Sequence, residues 1–168
     1  MPIMDSHALD FISYSYDQTL RYGVKLGQLL KPQDFLCLSG NLGSGKTALA
    51  IGIARGWGSL ESANSPSYIL VNEYSRADGA QSHHMDCYRL HNSIDAEHIC
   101  IDERLQSGAV LMVEWPEQIE DWIPIQRLWI TMSFITEDKR SIEIRADGDR
   151  FAKLLSEFRK NSFQHGST

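Results

Sequence analysis

The chain has 168 residues, 42% of them hydrophobic and 23% charged, with a formal net charge of −6; that is room for one domain with a sizeable core. No apolar run reaches the roughly 20 residues that cross a bilayer, and the stretch around Asp5 and Asp10 lacks a signal-peptide pattern, so a cytoplasmic protein with no membrane contact is expected. An acidic chain is not steered unaided onto a polyanion, which argues against direct tight binding to nucleic acid.

Taken in order, a short strand is expected near Phe11–Ser15, then a helix over about Asp17–Leu30. Leu20, Val24, Gly27 and Leu30 recur at helical spacing, Asp17 suits the N-cap or first turn, and Pro32 stops the helix. Phe35–Leu38 reads as a strand buried on both faces, and Lys46 to about Arg55 as a helix closed by Gly56 and Gly58. Tyr68–Tyr74 and His83–Tyr88 flank the turn signal Asp78-Gly79 as a hairpin. A helix over 95–106 ends at Gly108, followed by Ala109–Val113, the most apolar run and a central strand. Arg127–Ile135 and Ser141–Arg145 pair across a polar turn, and a last helix over about Asp149–Lys160 buries Phe151, Leu154, Leu155 and Phe158. Hairpins and crossover helices together predict a single-domain α/β fold, a P-loop NTPase-like three-layer sandwich with a mixed, partly parallel sheet over 1–161, and a flexible tail at 162–168. Cys37, Cys87 and Cys100, odd in number and in apolar settings, read as buried reduced thiols.

Chemistry concentrates first at Gly40-Asn41-Leu42-Gly43-Ser44-Gly45-Lys46-Thr47, which satisfies G-x-x-x-x-G-K-[ST] between a strand and a helix. Glycines let successive backbone N–H groups turn toward phosphate oxygens, and the helix start behind them adds partial positive charge. Lys46 supplies a cation for the β- and γ-phosphates and Thr47 a hard oxygen for magnesium. The expected ligands are therefore ATP and Mg²⁺, held by residues 41–48, with Ala48 the last of them.

Such a loop needs a carboxylate at a neighbouring strand end. Glu114 ends the apolar run Ala109–Val113, and Asp86 lies in the polar and aromatic cluster His84–Arg89. A carboxylate beside apolar residues is costly without a cation, so the two can share one, and either can orient an attacking water. Ser65-Pro66-Ser67 sits where a switch with hydroxyls for the γ-phosphate would lie, though the same residues also suit a plain turn before a strand.

Together these motifs resemble the ATPase of the bacterial tRNA threonylcarbamoyladenosine pathway, the TsaE (YjeE) family. The resemblance rests on the loop, Ser65-Pro66-Ser67-Tyr68, His84-Met85-Asp86-Cys87-Tyr88-Arg89-Leu90 and Glu114-Trp115-Pro116, in the family's order and spacing. It implies a cytoplasmic ATPase that binds the transferase of the pathway and that enzyme's paralogous partner, and meets tRNA only through their complex. It implies that Lys46 and Thr47 contact phosphate and magnesium, that Glu114 is a second magnesium ligand, that Asp86 acts in hydrolysis, and that Trp115 is functionally sensitive. Nucleotide contacts near Thr19 and Arg140 would follow too. Asn41 stands where the family usually has an acid, Ser67 where threonine is commoner, and Cys87 where a bulkier apolar residue is usual; none removes a required group.

Three other functional classes fit the sequence less well. A small-molecule or nucleoside kinase would need a lid rich in arginine, which residues 90–140 do not show. A GTPase would need an Asn-Lys-x-Asp segment, and none occurs. A zinc module would need tight ligand pairs, whereas His84 and Cys87 sit on a strand and His98 and Cys100 diverge on a helix.

Overall fold

The computed structural model describes residues 5–63, 71–90 and 100–164. Its centre is the run expected to be buried on both faces. β2 (Phe35–Ser39) pairs in parallel with β5 (Val110–Glu114) on one side and β6 (Arg127–Phe134) on the other. β4 (Gln81–Asp86) joins β5 in parallel, and three antiparallel strands complete the sheet: β3 (Val71–Ser75) beyond β4, β7 (Arg140–Asp147) beyond β6, and β1 (Ala8–Ser13) beyond β7. The order is β1-β7-β6-β2-β5-β4-β3.

Strand alternation sorts the side chains into two cores. Leu36 and Leu38 of β2 and Val110 and Met112 of β5 pack beneath α1 (Tyr16–Gly27), α2 (Lys46–Trp57) and α4 (Asp149–Phe163). Phe35 and Cys37, with Leu111 and Val113, face α3 (Ile101–Gln106) and a 3-10 segment, Pro116–Trp122. Both faces are covered, so the expected three-layer α/β arrangement with a mixed sheet is the observed one.

Several element ends differ from the sequence reading. β1 starts earlier and stops at Ser13 because Ser15 is the N-cap of α1: its hydroxyl accepts from the Gln18 N–H at 3.0 Å. Asp17 is thus the first-turn acid. α1 ends at Gly27 and tightens through Leu29 N–H to Leu26 O before Pro32 is reached. The 3-10 segment after β5 was not anticipated. α4 runs on to Phe163, whose ring packs at a tilt against Phe11 at 5.1 Å and Tyr22 at 5.6 Å, giving the last turn tertiary support. Cys100 is exposed, contrary to expectation, because it precedes α3 in a left-handed conformation (φ 55°) outside the apolar layer. Cys37 and Cys87 are buried as expected, and burial pushes the Cys87 thiol up to about 12. The first residues of the expected strand at 68–74 and of the helix at 95–106 lie outside the described residues.

α1 and α2 meet through glycine. A Cβ on Gly23 would stand 2.5 Å from Leu49 O, on Gly27 2.1 Å from Ile53 O, on Gly52 2.3 Å from Leu20 O, and on Gly56 2.0 Å from Val24 O. Backbone therefore packs on backbone, which seats α1 and α2 together over one face of the sheet.

Candidate functional site

The parallel strands β2, β4 and β5 all end at the same edge of the sheet. In an open α/β sheet the carboxyl ends of the strands, where connections diverge, form a natural crevice. β2 runs into the glycine-rich loop, Gly40 to Gly45, and the loop into α2. Gly45 is the N-cap of α2 at φ 100°, a left-handed conformation suited to glycine. A Cβ on Gly40 would lie 2.3 Å from Met132 O, so the loop leaves β2 hard against the end of β6.

On the other side stand the two acids. Asp86 and Glu114 are direct register partners across β4 and β5, and Glu114 also pairs with Leu38 at the end of β2. One cavity of about 360 Å³ is lined by Leu42, Gly43, Ser44, Gly45, Lys46, Thr47 and Ala48 from the loop and α2, and by Asp86, Glu114, Trp115 and Tyr16. Most of the expected residues are thus brought together, including both candidate acids. Asn41 lies on the outer side of the loop, in a neighbouring cavity with Thr131 and Phe134, and contributes its carbonyl to Lys46.

Lys46 is buried at 6% exposure. Its ammonium donates to the carbonyls of Gly40 and, at 2.9 Å, Asn41, and to Ser44 Oγ at 3.4 Å. Burial lowers its pKa from the usual lysine value, while Glu114, Asp86 and Glu117 oppose that shift. Trp115 covers the ammonium, its ring centroid 4.6 Å away. A positive φ of 57° at Trp115, costly for a bulky side chain, turns the chain just after β5. The Tyr88 ring packs against Trp115 at a tilt of 49°, centroids 4.9 Å apart.

The acids differ in setting. Glu114 is 4% exposed and its Oε2 meets His84 Nε2 at 2.9 Å. Asp86 is half-buried, and burial raises its pKa above the usual carboxylate value. The Tyr88 N–H, donating to Asp86 Oδ1 at 3.0 Å, pulls the other way, and the charge of Glu114 adds to the rise.

Arg140 stands against the loop: a Cβ on Gly45 would lie 3.7 Å from its Nε, an atom buried without a partner among the described residues. Its Nη1 donates to the carbonyls of Thr136, Glu137 and Lys139, which closes the β6–β7 turn. Thr19 is placed elsewhere. It is 3% exposed, and its hydroxyl is shared with Ser13 Oγ at 2.7 Å and directed to Ser15 O at 3.2 Å, bracing α1 on β1. Tyr16, one turn earlier, is the residue of α1 that lines the cavity. Ser67 lies outside the described residues.

Sequence reasoning missed Tyr16, the His84–Glu114 contact and Glu117, which accepts a hydrogen bond from the Ser39 hydroxyl. Period-two spacing was the available signal for His84, since it places His84 and Asp86 on one face of β4.

Fold and site define a three-layer α/β protein whose glycine-rich loop and two strand-end acids share one cleft. Residues 13–142 match the family model described as "Threonylcarbamoyl adenosine biosynthesis protein TsaE". The chain is similar to the tRNA threonylcarbamoyladenosine biosynthesis protein TsaE of Bacillus subtilis, 36% identical over 132 residues, covering 78% of this chain and 81% of that one. It is 30% identical over 144 residues to its counterpart in Haemophilus influenzae, covering 83% and 90% of the two chains. The crystal structure of Bacillus subtilis YdiB superposes with a TM-score of 0.77 at 30% identity, over 92% of this chain and 95% of that one. The chain belongs to the TsaE family. No helix among the described residues is long and apolar enough to cross a membrane.

Proposed function

We propose that this chain is a magnesium-dependent ATPase that supports threonylcarbamoyl modification of the adenosine beside the anticodon in tRNA. It works in the cytoplasm with the transferase of the pathway and that enzyme's paralogous partner, and meets tRNA through their complex. The observation that carries the reading is the register pair Asp86–Glu114, which sets two carboxylates in one cavity with Lys46 and Thr47.

The donor set fits magnesium bound with a nucleotide. Magnesium favours one or two carboxylates, a hydroxyl and phosphate oxygens over an all-protein cage. The described residues hold no cage of three or more acid, histidine or cysteine side chains, and instead offer Thr47 and Glu114 beside an anion-binding loop. When bound, the ion would neutralise charge on the β- and γ-phosphates. The chain's own groups do the rest: the amides of residues 42–48 and Lys46 hold the phosphates and stabilise developing charge. Lys46 must exchange its contacts with the Gly40 and Asn41 carbonyls for phosphate oxygens. Asp86 orients the attacking water, a role suited to a carboxyl whose charged form is disfavoured and which accepts a proton readily. Trp115 excludes bulk water from the ammonium, and Arg140 braces the loop at Gly45.

Replacing Lys46 with alanine tests this. Lys46→Ala should reduce ATP hydrolysis by at least about 100-fold, in line with removal of one preorganised charge-stabilising group. Hydrolysis by Lys46→Ala at the wild-type rate would overturn the reading.

A further inference from the structure

Glu114 does not sit in its pocket unaided. His84 is 1% exposed and Glu114 4%, so little water competes with the contact between them. Their contact, 2.9 Å between Nε2 and Oε2, joins neighbouring parallel strands. In the register of β4 and β5, His84 lies opposite Met112 and Asp86 opposite Glu114, so the carboxylate reaches back along the sheet to meet the imidazole. An ionised carboxylate only accepts hydrogen bonds, which places the imidazole proton of this contact on Nε2. One oxygen of Glu114 is committed to His84, while the residue still lines the cavity beside Lys46 and Thr47.

We propose that His84 is a positioning residue for Glu114: its Nε2–H locks the carboxylate in one orientation and so presets a single oxygen for the magnesium of a bound nucleotide. Two physical effects require such a partner. A buried carboxylate without a hydrogen bond is costly to keep charged, and a carboxylate free to rotate loses entropy when a cation fixes it. Groups that hold a ligating side chain in this way typically change metal affinity by about 10–100-fold. This inference rests on the reading above that Glu114 is a magnesium ligand.

The test measures the affinity of a fluorescent ATP analogue during a magnesium titration and again in EDTA, for the wild type, Glu114→Gln, His84→Leu and His84→Gln. His84→Leu should raise the half-saturating magnesium concentration by about 10–100-fold and leave the affinity in EDTA within about twofold. His84→Gln, which keeps an N–H donor, should recover most of the loss. If the wild type binds the analogue without regard to magnesium, or Glu114→Gln responds as the wild type does, the magnesium reading itself fails. If those two behave as expected but His84→Leu keeps the wild-type half-saturation, only the role of His84 fails. A parallel loss of affinity with and without magnesium would reveal a purely structural role and also overturn it. Should His84→Leu not fold, His84→Gln and His84→Asn decide: the longer glutamine should outperform asparagine, and equal behaviour refutes positioning.

Discussion

At Asp86 the interests of stability and proposed chemistry diverge. Burial and the neighbouring charge of Glu114 raise its pKa above that of an unfolded chain, net of the Tyr88 N–H. A carboxyl with a raised folded-state pKa favours the folded state fully below the unfolded value, and that advantage is lost as pH rises through the folded value. At neutral pH the charged Asp86 is therefore a net cost to the fold. Asp86→Asn should raise the melting temperature at pH 7 by roughly 1–4 °C while hydrolysis falls sharply. The gap should shrink in acid and be smallest at a pH of about 3, below the unfolded carboxylate value of about 3.9. Thermal melts at the two pH values check this; a gap that does not shrink in acid would place the effect elsewhere. Part of this site is legible in sequence. Lys46 and Thr47 follow from the loop pattern, and Glu114 from its place after an apolar run. The tie between His84 and Glu114 is not, because it spans thirty positions and depends on the β4–β5 register.

Among the elements, α1 and α2 show how little a hydrophobic pattern says about distance. Periodicity finds both helices, yet their closeness depends on four glycines, of which the pattern reads Gly27 as part of the apolar stripe and Gly56 only as a helix end. Gly56 lies inside α2, and a methyl there would stand 2.0 Å from Val24 O and 2.7 Å from Val24 Cα. Alanine gains about 1 kcal/mol in helix propensity, but forcing two backbones apart costs about 1–3 kcal/mol in overpacking or more. These neighbours are backbone atoms and cannot rotate away, so the steric cost wins. Gly56→Ala should lose about 1–2 kcal/mol in urea unfolding. A gain in stability would mean that the helices separate freely. Element ends were the least legible feature: Ser15 rather than Asp17 caps α1, and the turn at Trp115 with its 3-10 continuation follows from the positive φ there, which no residue pattern announces.

For the molecule as a whole, the cleft opens on an apolar rim. Tyr16 and Leu42, which line the cleft, are 60% and 71% exposed. Exposed apolar surface at the mouth of a site is what a protein partner would cover. Inside the cleft, Lys46 is engaged with its own loop, and the proposed function requires it to leave those carbonyls for phosphate. On the proposed reading the isolated chain therefore hydrolyses ATP slowly, and the two pathway proteins speed it by at least about tenfold, a difference of about 1.4 kcal/mol in barrier. Rates with and without them measure this, and equal rates would argue against turnover gated by partners.

Sequence alone was sufficient for the loop, the α/β class, the two candidate acids and the family, because each depends on local spacing: glycines where the backbone must turn, apolar runs where a strand is buried on both faces, polar groups at strand ends. Tertiary structure decided which of these meet. It set Asp86 level with Glu114, turned Thr19 away to brace β1, brought Tyr16 to the cavity, exposed Cys100 and joined His84 to Glu114. The reason is that register and packing between elements distant in sequence arise from the fit of whole faces, which no short window of residues contains. The glycine-rich loop could be read from eight consecutive residues; the cleft it serves needed the ends of three strands.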